Sequence, residues 1–318
     1  MHNGKNYRMS HSSSKSLFSW VAIFVLIAAV FFAQRIIVSA QSNQAPTVQS
    51  VYISSTTGAK TDAYPSGTID NLSPGSTLNI HVNGEVEDLD GRDDISFVSV
   101  VFRRSGASGG NSCTADNNDC YRLASCSLSN NEDSNQKDYN CMLSIAYYAD
   151  STVATTGRFP DDNWVTEVYV EDLQVASGND TSVTKEMGEI LSLDIAGSLN
   201  FGSMDMGDTS TALTNAEQTI TQNGNDVADV EVNGLGSMTC DFGTIPVANH
   251  QWALTDVPYD DVASTVLSAV ATDTDLAVSY RDDDTTEMSK ILYWNLEIPS
   301  IDIAGACTGS IVVNAIAS

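Results

Sequence analysis

The segment Thr77–Glu87 reads TLNIHVNGEVE, and its first apolar side chains fall on every second residue. Leu78, Ile80 and Val82 therefore share one face, and the polar residues between them point the other way. Strict alternation of this kind is typical of half-buried strands in antiparallel sheets. The segment predicts a strand with one face in a protein core.

The same period of two recurs along the chain between turns rich in Gly, Asn, Asp and Ser, such as Ser105–Asn111 and Asn223–Asp226. One segment, Asp261–Ala271, is the best candidate for a short helix. Many short strands separated by turns indicate an all-β chain with two antiparallel β-sandwich (Ig-like) modules in tandem. Further predicted strands are Thr47–Ser54, Val98–Phe102, Cys141–Tyr147, Trp164–Val170, Leu191–Ile195, Gln218–Thr221, Val227–Val232, Leu276–Tyr280, Leu292–Ile298 and Gly309–Ala317.

The N-terminus has the layout of a secretory signal peptide. Positive residues at 5, 8 and 15 precede the apolar run Leu17–Ala33, and Val38-Ser39-Ala40 is a small-x-small cleavage site. Residues 1–40 are therefore predicted to be removed, leaving an extracellular or cell-surface protein. The alternative is that residues 17–33 remain as an uncleaved N-terminal anchor, because the run reaches the short end of membrane-span lengths.

Composition shifts suggest how the chain is divided. Residues 41–46 are a polar linker, 47–180 an Ig-like sandwich with a Cys-rich insert at 105–141, and 190–318 a second sandwich. Residues 181–189 are predicted to be the linker between the sandwiches, because they are polar and precede a fresh apolar alternation.

Charge limits the partners. The chain has 14 Lys and Arg against 41 Asp and Glu; four of the basic residues and none of the acidic ones lie in residues 1–40, so residues 41–318 carry −31. Such a field repels nucleic acid and anionic lipid, which leaves membrane contact only through residues 17–33 if they are retained. Acidity of this kind favours solubility and attracts cations.

An even number of cysteines in an exported chain indicates disulfides. If bridges stay within each module, Cys240 pairs with Cys307, and the other four cysteines allow three connectivities. We favour Cys113–Cys120 with Cys126–Cys141, because each closes a short loop. A zinc site is the rival interpretation, but the cysteine spacings do not match paired C-x2-C knuckles.

One acidic loop is the strongest candidate site. Closely spaced carboxylates beside Gly91 suit Ca²⁺, although the spacing is not that of an EF-hand. The alternative is a solvated turn stabilised by Asx-type hydrogen bonds. No other cofactor is required. The candidate ligands are Glu87, Asp88, Asp90, Asp93 and Asp94.

Other residue types offer weaker signals. Asp282–Asp284 is interpreted as a solvated loop, and His250 as a hydrogen-bonded structural residue. Trp164 and Trp294 are expected in the two cores, whereas Trp252 and Tyr121 are the candidates for exposed, carbohydrate- or partner-binding aromatics. The sequence has no H-E-x-x-H motif, and we predict no catalytic residue.

Two sets of residues resemble known families. Val86-Glu87-Asp88-Leu89-Asp90-Gly91, with Trp164 and Val168–Asp172, resembles bacterial and archaeal immunoglobulin-like repeats of the cadherin or PKD type. Residues 201–209, Tyr293–Pro299 and Gly305–Gly309 resemble the closing β-sandwich of prokaryotic cell-surface proteins. The second resemblance implies an extracellular structural or adhesive role, with Cys240–Cys307 tying an inner strand to the start of the last one.

The sequence thus favours a non-enzymatic secreted or cell-surface structural or adhesive protein. Its expected partners are the cell envelope, the extracellular matrix or further copies of itself, reached through β-strand edges. The alternative is an extracellular carbohydrate- or peptide-binding module with a Ca²⁺-stabilised loop. A secreted hydrolase is the third hypothesis, because two of the many carboxylates could form a catalytic pair.

Overall fold

The computed structural model describes residues 42–318, apart from residues 196 and 284. The predicted signal segment, its cleavage site and the alternative anchor lie outside the described residues. Within the described part, no helix has the length and apolar character needed to cross a membrane. Residues 42–46 lead into the first strand without regular secondary structure.

The first sandwich contains nine strands. Two of them, over residues 47–54 and 77–87, have the bounds that the sequence predicts. The strands are β1 Thr47–Ser54, β2 Thr68–Ile69, β3 Thr77–Glu87, β4 Ile95–Arg104, β5 Cys120–Leu123, β6 Ser127–Asn130, β7 Gln136–Ala146, β8 Trp164–Asp172 and β9 Ser177–Met187.

Two sheets enclose the first core. One has the order β1-β3-β7-β6 and the other β2-β9-β8-β4-β5, and every pairing is antiparallel except the short β2–β9 pair. Ile80, Val82 and Val168 point between the sheets and are fully buried. Trp164 is also fully buried, its ring stacks on Phe102 with centroids 4.9 Å apart, and its indole N–H donates to the Asp150 carbonyl.

The Cys-rich insert predicted at 105–141 is part of the sandwich. β5 forms the edge of one sheet, β6 forms the edge of the other, and β7 begins at Gln136 inside the predicted insert. The predicted strand begins only at Cys141, because just two of the first six residues of β7, Tyr139 and Cys141, are buried.

The prediction of a linker at residues 181–189 is wrong, because most of these residues belong to a strand. Ser177–Met187 forms β9, which pairs with β8 over most of its length. Its polar residues face solvent, whereas Lys185 and Met187 are buried against the first core. Composition indicated a linker because one face of this strand is polar and its first half carries few apolar residues.

The second sandwich contains eleven strands. They are β10 Leu193–Ile195, β11 Ala216–Gln222, β12 Ala228–Gly234, β13 Met238–Phe242, β14 Thr244–Ile245, β15 His250–Ala253, β16 Thr265–Val266, β17 Thr272–Asp273, β18 Ser289–Leu296, β19 Ala304–Thr308 and β20 Ile311–Ala317. They form three sheets, with the orders β10-β11-β18-β15-β16, β17-β12-β20 and β14-β13-β19.

The second core lies between the five-stranded sheet and the β17-β12-β20 sheet. Ile220, Val232 and Trp294 are fully buried in it, and the Trp294 indole N–H donates to Gln218 Oε1 at 3.0 Å. Both tryptophans expected in the cores are therefore confirmed there, as is the all-β architecture with two sandwiches.

Two local predictions in this sandwich are wrong. Asp261–Ala271 is not helical: it contains a turn closed by the Ser264 amide on the Asp261 carbonyl, followed by β16. Its valines and threonine favour extended backbone. The strand predicted at Leu276–Tyr280 is reduced to one isolated bridge, between Val278 and Ala228.

Three disulfides tie the strands together. They join Cys113 to Cys120, Cys126 to Cys141 and Cys240 to Cys307, the same pairs that the sequence analysis favours. Cys240 and Cys307 lie opposite each other on β13 and β19, so this bridge crosses between adjacent strands. Such bonds persist in oxidising compartments, which indicates an extracellular or periplasmic protein.

The two sandwiches belong to one compact unit, Ala45–Ser318. The loop between β11 and β12 reaches the first sandwich, where Asp226 accepts a hydrogen bond from the Ser151 hydroxyl at 2.9 Å. Arg281 donates to the Tyr147 hydroxyl at 2.9 Å, and the Arg158 guanidinium lies over the Tyr280 ring. Polar and aromatic contacts thus join the modules directly.

Candidate functional site

The acidic loop between β3 and β4 brings three of its five predicted ligands together. Asp88, Asp90 and Asp94 each place one carboxylate oxygen within 4.8 Å of the other two. Gly91, at φ 121°, supplies a backbone conformation that L side chains rarely adopt, and Asp94 ends the short 3-10 turn Arg92–Asp94 that follows it. The chain therefore turns back on itself and gathers carboxylates that are separated by up to six positions.

Asp88 is the unusual member of this group, because its side chain is completely buried. Its Oδ1 accepts the Asp90 amide at 2.8 Å, but its Oδ2 has no hydrogen-bond partner among the described residues. Burial raises the pKa of Asp88, and the nearby carboxylates of Asp94, Asp90 and Asp172 raise it further. A buried carboxylate with a free oxygen is costly unless a proton or a cation neutralises it.

Asp172 lies near this cluster, although its position in the sequence did not indicate it. It ends β8, is almost fully buried, and its Oδ1 accepts the amides of Gln174 and Ala176. The next amide, Leu173 N–H, donates to the Asp94 carbonyl at 2.9 Å. The β8–β9 turn therefore lies against the acidic loop. Only sheet pairing brings them together: Ile95 lies opposite Asp172 in the β4–β8 ladder.

Two predicted ligands lie outside the cluster. Glu87 is the last residue of β3, and its Oε2 accepts a hydrogen bond from Gln49 Nε2 at 2.8 Å. Asp93 lies in the 3-10 turn, but it is not one of the three residues whose oxygens converge. Their neighbour Glu85 pairs with Lys60 at 2.6 Å, which lowers the pKa of Glu85.

A second acidic group, Asp229, Asp273 and Asp275, has similar spacing between its oxygens. Asp229 is buried, as Asp88 is, but its Oδ1 accepts the Val230 amide, and neither of its oxygens is a buried atom without a partner. Asp273 and Asp275 are exposed. In the predicted solvated loop 282–284, Asp283 accepts the amides of Thr285 and Thr286, and this lowers its pKa. Asp284 lies outside the described residues.

The aromatic and histidine candidates are packed inside the protein. Tyr121 and Trp252 are buried rather than exposed, so they form no aromatic binding surface. His250 is also buried, with Nε2 2.9 Å from Met238 Sδ and Nδ1 3.3 Å from the Pro246 carbonyl. Burial lowers the pKa of His250, which favours its neutral form. These contacts are those of a structural histidine.

Among the strands that end a sheet in the second sandwich, β20 is the longest. β20 pairs with β12 on one side and, among the described residues, with no strand on the other. Residues 303–318, which include β20, contain no charged side chain. Beside the strand lies a groove with a cavity volume of 490 Å³, whose apolar lining includes Leu199, Phe201, Val247, Leu267, Ile311 and Val313.

Comparison with known proteins gives a structural likeness. No family model matches the chain, and no curated protein matches it. Among solved structures, the chain is similar to a chaperone–tip adhesion subunit pre-assembly complex from archaic chaperone-usher pili of Acinetobacter baumannii, at 10% identity. The match covers 78% of this chain and 95% of that chain, with a TM-score of 0.29.

Proposed function

We propose that the protein is a non-enzymatic structural or adhesive component of the cell surface or extracellular matrix, and that its second sandwich self-associates through β20. The observation that carries this proposal is the open edge of β20. An edge strand presents unpaired N–H and C=O groups, and another chain can extend the sheet by pairing with them.

The distribution of charge supports a second copy of the chain as the partner. Residues 41–318 carry −31, so two copies repel each other over most of their surfaces. The uncharged segment 303–318 is a place where they can approach without that penalty. Pairing one β20 antiparallel to another would place the same surface on both copies, which is the arrangement of a two-fold dimer.

The neighbouring groove supports the same interpretation. Ile311 and Val313 of β20 are only partly buried, and with Leu199 and Phe201 they border the open cavity. A strand added to β20 would cover apolar area that now faces water, at about 25 cal/mol per Å² buried. Backbone pairing and apolar burial would therefore act together at one edge.

Sedimentation velocity over a range of protein concentrations tests this proposal. Val312 on β20 is partly exposed and lies opposite the neutral Asn233, so Val312→Glu places a negative charge on this segment in both copies. We expect wild type to associate and Val312→Glu to remain monomeric, because the added charges repel each other. Thr219→Glu is the matched control, because Thr219 is exposed on β11, an interior strand, and the net charge changes equally.

A wild-type protein that stays monomeric at high concentration and does not bind its own cell envelope would contradict the proposal. Equal association of the two glutamate variants would exclude β20 as the contact. Turnover on a panel of glycans and esters that disappears when one carboxylate is mutated would instead support the hydrolase hypothesis.

A further inference from the structure

We propose that Asp88, Asp90 and Asp94 bind a divalent cation of the Ca²⁺ class at the end of the first sandwich, with Asp172 contributing to the negative field of the site. This inference is independent of self-association through β20. This cluster differs from the other acidic groups of the chain, because Asp88 is fully buried and its Oδ2 has no hydrogen-bond partner among the described residues.

The buried side chain of Asp88 favours a bound cation. Its side chain is 0% exposed, its Oδ2 has no hydrogen-bond partner among the described residues, and its neighbours include further carboxylates. Neither Asp88 nor Asp94 forms an ion pair with a Lys or Arg in the described part of the chain. Buried carboxylates are ordinarily paired or coordinate a metal, and a cation would satisfy the free oxygen.

The donor atoms of the cluster favour a hard cation. Three carboxylates offer oxygen ligands only, and a hard cation such as Ca²⁺ takes six to eight of them, including carbonyls and water. Asp90 and Asp94 are partly exposed, which leaves solvent access for entry of the ion and for bound water. Zinc, in contrast, prefers sulfur and nitrogen ligands, and the cluster holds neither.

The cluster lies where two loops of the first sandwich meet. The Asp94 carbonyl accepts the Leu173 amide, and Asp172 supports the β8–β9 turn through two hydrogen bonds. A cation bound to Asp88, Asp90 and Asp94 would neutralise charge at the point where the β3–β4 loop meets this turn. Its binding would therefore stabilise both loops, and the thermal stability of the protein would rise with the logarithm of the Ca²⁺ concentration above Kd.

The experiment titrates the purified protein with Ca²⁺ alone, by calorimetry and by thermal unfolding, against a chelator at matched ionic strength. We expect one site in the first sandwich. At a concentration about 100 times Kd, the midpoint of unfolding should rise by about 5–10 °C. The double variant Asp90→Asn/Asp94→Asn should lose both the binding heat and the shift while keeping its far-ultraviolet circular dichroism in chelator.

Asp273→Asn/Asp275→Asn is the matched control, because it removes the same two charges from the other acidic cluster; it should bind Ca²⁺ like wild type. Asp88→Asn provides a second readout. It should abolish the Ca²⁺ response yet raise the midpoint in chelator, because an amide replaces a buried charge. The proposal is overturned if wild type shows no shift up to about 10 mM Ca²⁺, or if the double variant keeps the wild-type response.

Discussion

The Asn225 side-chain amide donates to the Ala149 carbonyl at 2.9 Å, so a loop of the second sandwich is anchored in the first. The same amide donates to the Gly188 carbonyl at 2.9 Å, and its oxygen accepts the Ile190 amide at 2.6 Å. One fully buried side chain thereby satisfies three backbone groups at the junction. The sandwiches should consequently unfold together rather than as independent domains.

Asn225→Ala should lower the free energy of unfolding by about 2–4 kcal/mol, because it leaves these backbone groups buried without partners. It should also separate the single denaturant transition into two, since the loop no longer holds the modules together. Chemical denaturation followed by tryptophan fluorescence measures both effects. Asn223→Ala is the control: that side chain makes no hydrogen bond within the described residues, and a loss as large as that of Asn225→Ala would refute the anchoring role.

Gly84→Ala should be severely destabilising. A Cβ at this position in β3 would lie 1.9 Å from the Ser50 carbonyl oxygen and 2.6 Å from the Tyr139 hydroxyl. The Tyr139 hydroxyl donates to that same carbonyl at 2.8 Å, next to the irregularity in the β1–β3 register, so the clash breaks a buried contact. We expect a loss of more than about 3 kcal/mol or failure to express. Gly110→Ala, whose Cβ would meet nothing within 4 Å, should cost only the strain of an alanine at φ 53°, about 1–2 kcal/mol.

The disulfides should differ in their contributions according to the loops they close. Cys240 and Cys307 are 67 positions apart, and Cys113 and Cys120 are 7 apart. Chain-entropy arguments give about 4 kcal/mol for the longer loop and about 2 kcal/mol for the shorter one. Thermal unfolding of the two double Cys→Ser variants tests the order. Equal destabilisation would show that loop length does not determine their contributions here.

His250 should make stability depend on pH. Burial lowers its pKa in the folded protein below the ordinary value of 6.5, so the folded state binds this proton less readily than the unfolded chain. Its contribution is therefore present above pH 6.5 and is lost as the pH falls through the folded pKa. The difference in unfolding free energy between wild type and His250→Gln should change in this window. A difference that is constant from pH 7.5 to about 5 would contradict this assignment.

Apolar alternation was sufficient to predict β3, and richness in Val, Ile and Tyr was sufficient to predict β1; the structure reproduces the bounds of both strands. Alternation failed for β9, because a strand at the surface can be polar on one face and carry only Met187 deep in the core. It also failed at Asp261–Ala271, where a turn and a two-residue strand replace the predicted helix. Short or polar segments are recognised by the strands they pair with, and sequence spacing does not contain that information.

The candidate cation site shows the same limit. Spacing brought Asp88, Asp90 and Asp94 to attention but also included Glu87, which points to a different set of partners. Asp172 lies 84 positions after Asp88, and only the β4–β8 pairing places it nearby. The buried Oδ2 of Asp88, which has no partner among the described residues and separates this cluster from the one at Asp229, Asp273 and Asp275, depends on the whole sandwich.

The Cys240–Cys307 bridge has a mechanical consequence. The bond joins two residues that are 67 positions apart, Cys240 on β13 and Cys307 on β19. A force that pulls on the second sandwich would therefore be carried by the S–S bond instead of by the chain between them. At about 3.3 Å per extended residue, the bond keeps about 220 Å of chain from extending under force. Single-molecule stretching should show an unfolding step that lengthens by about that amount when the bond is reduced.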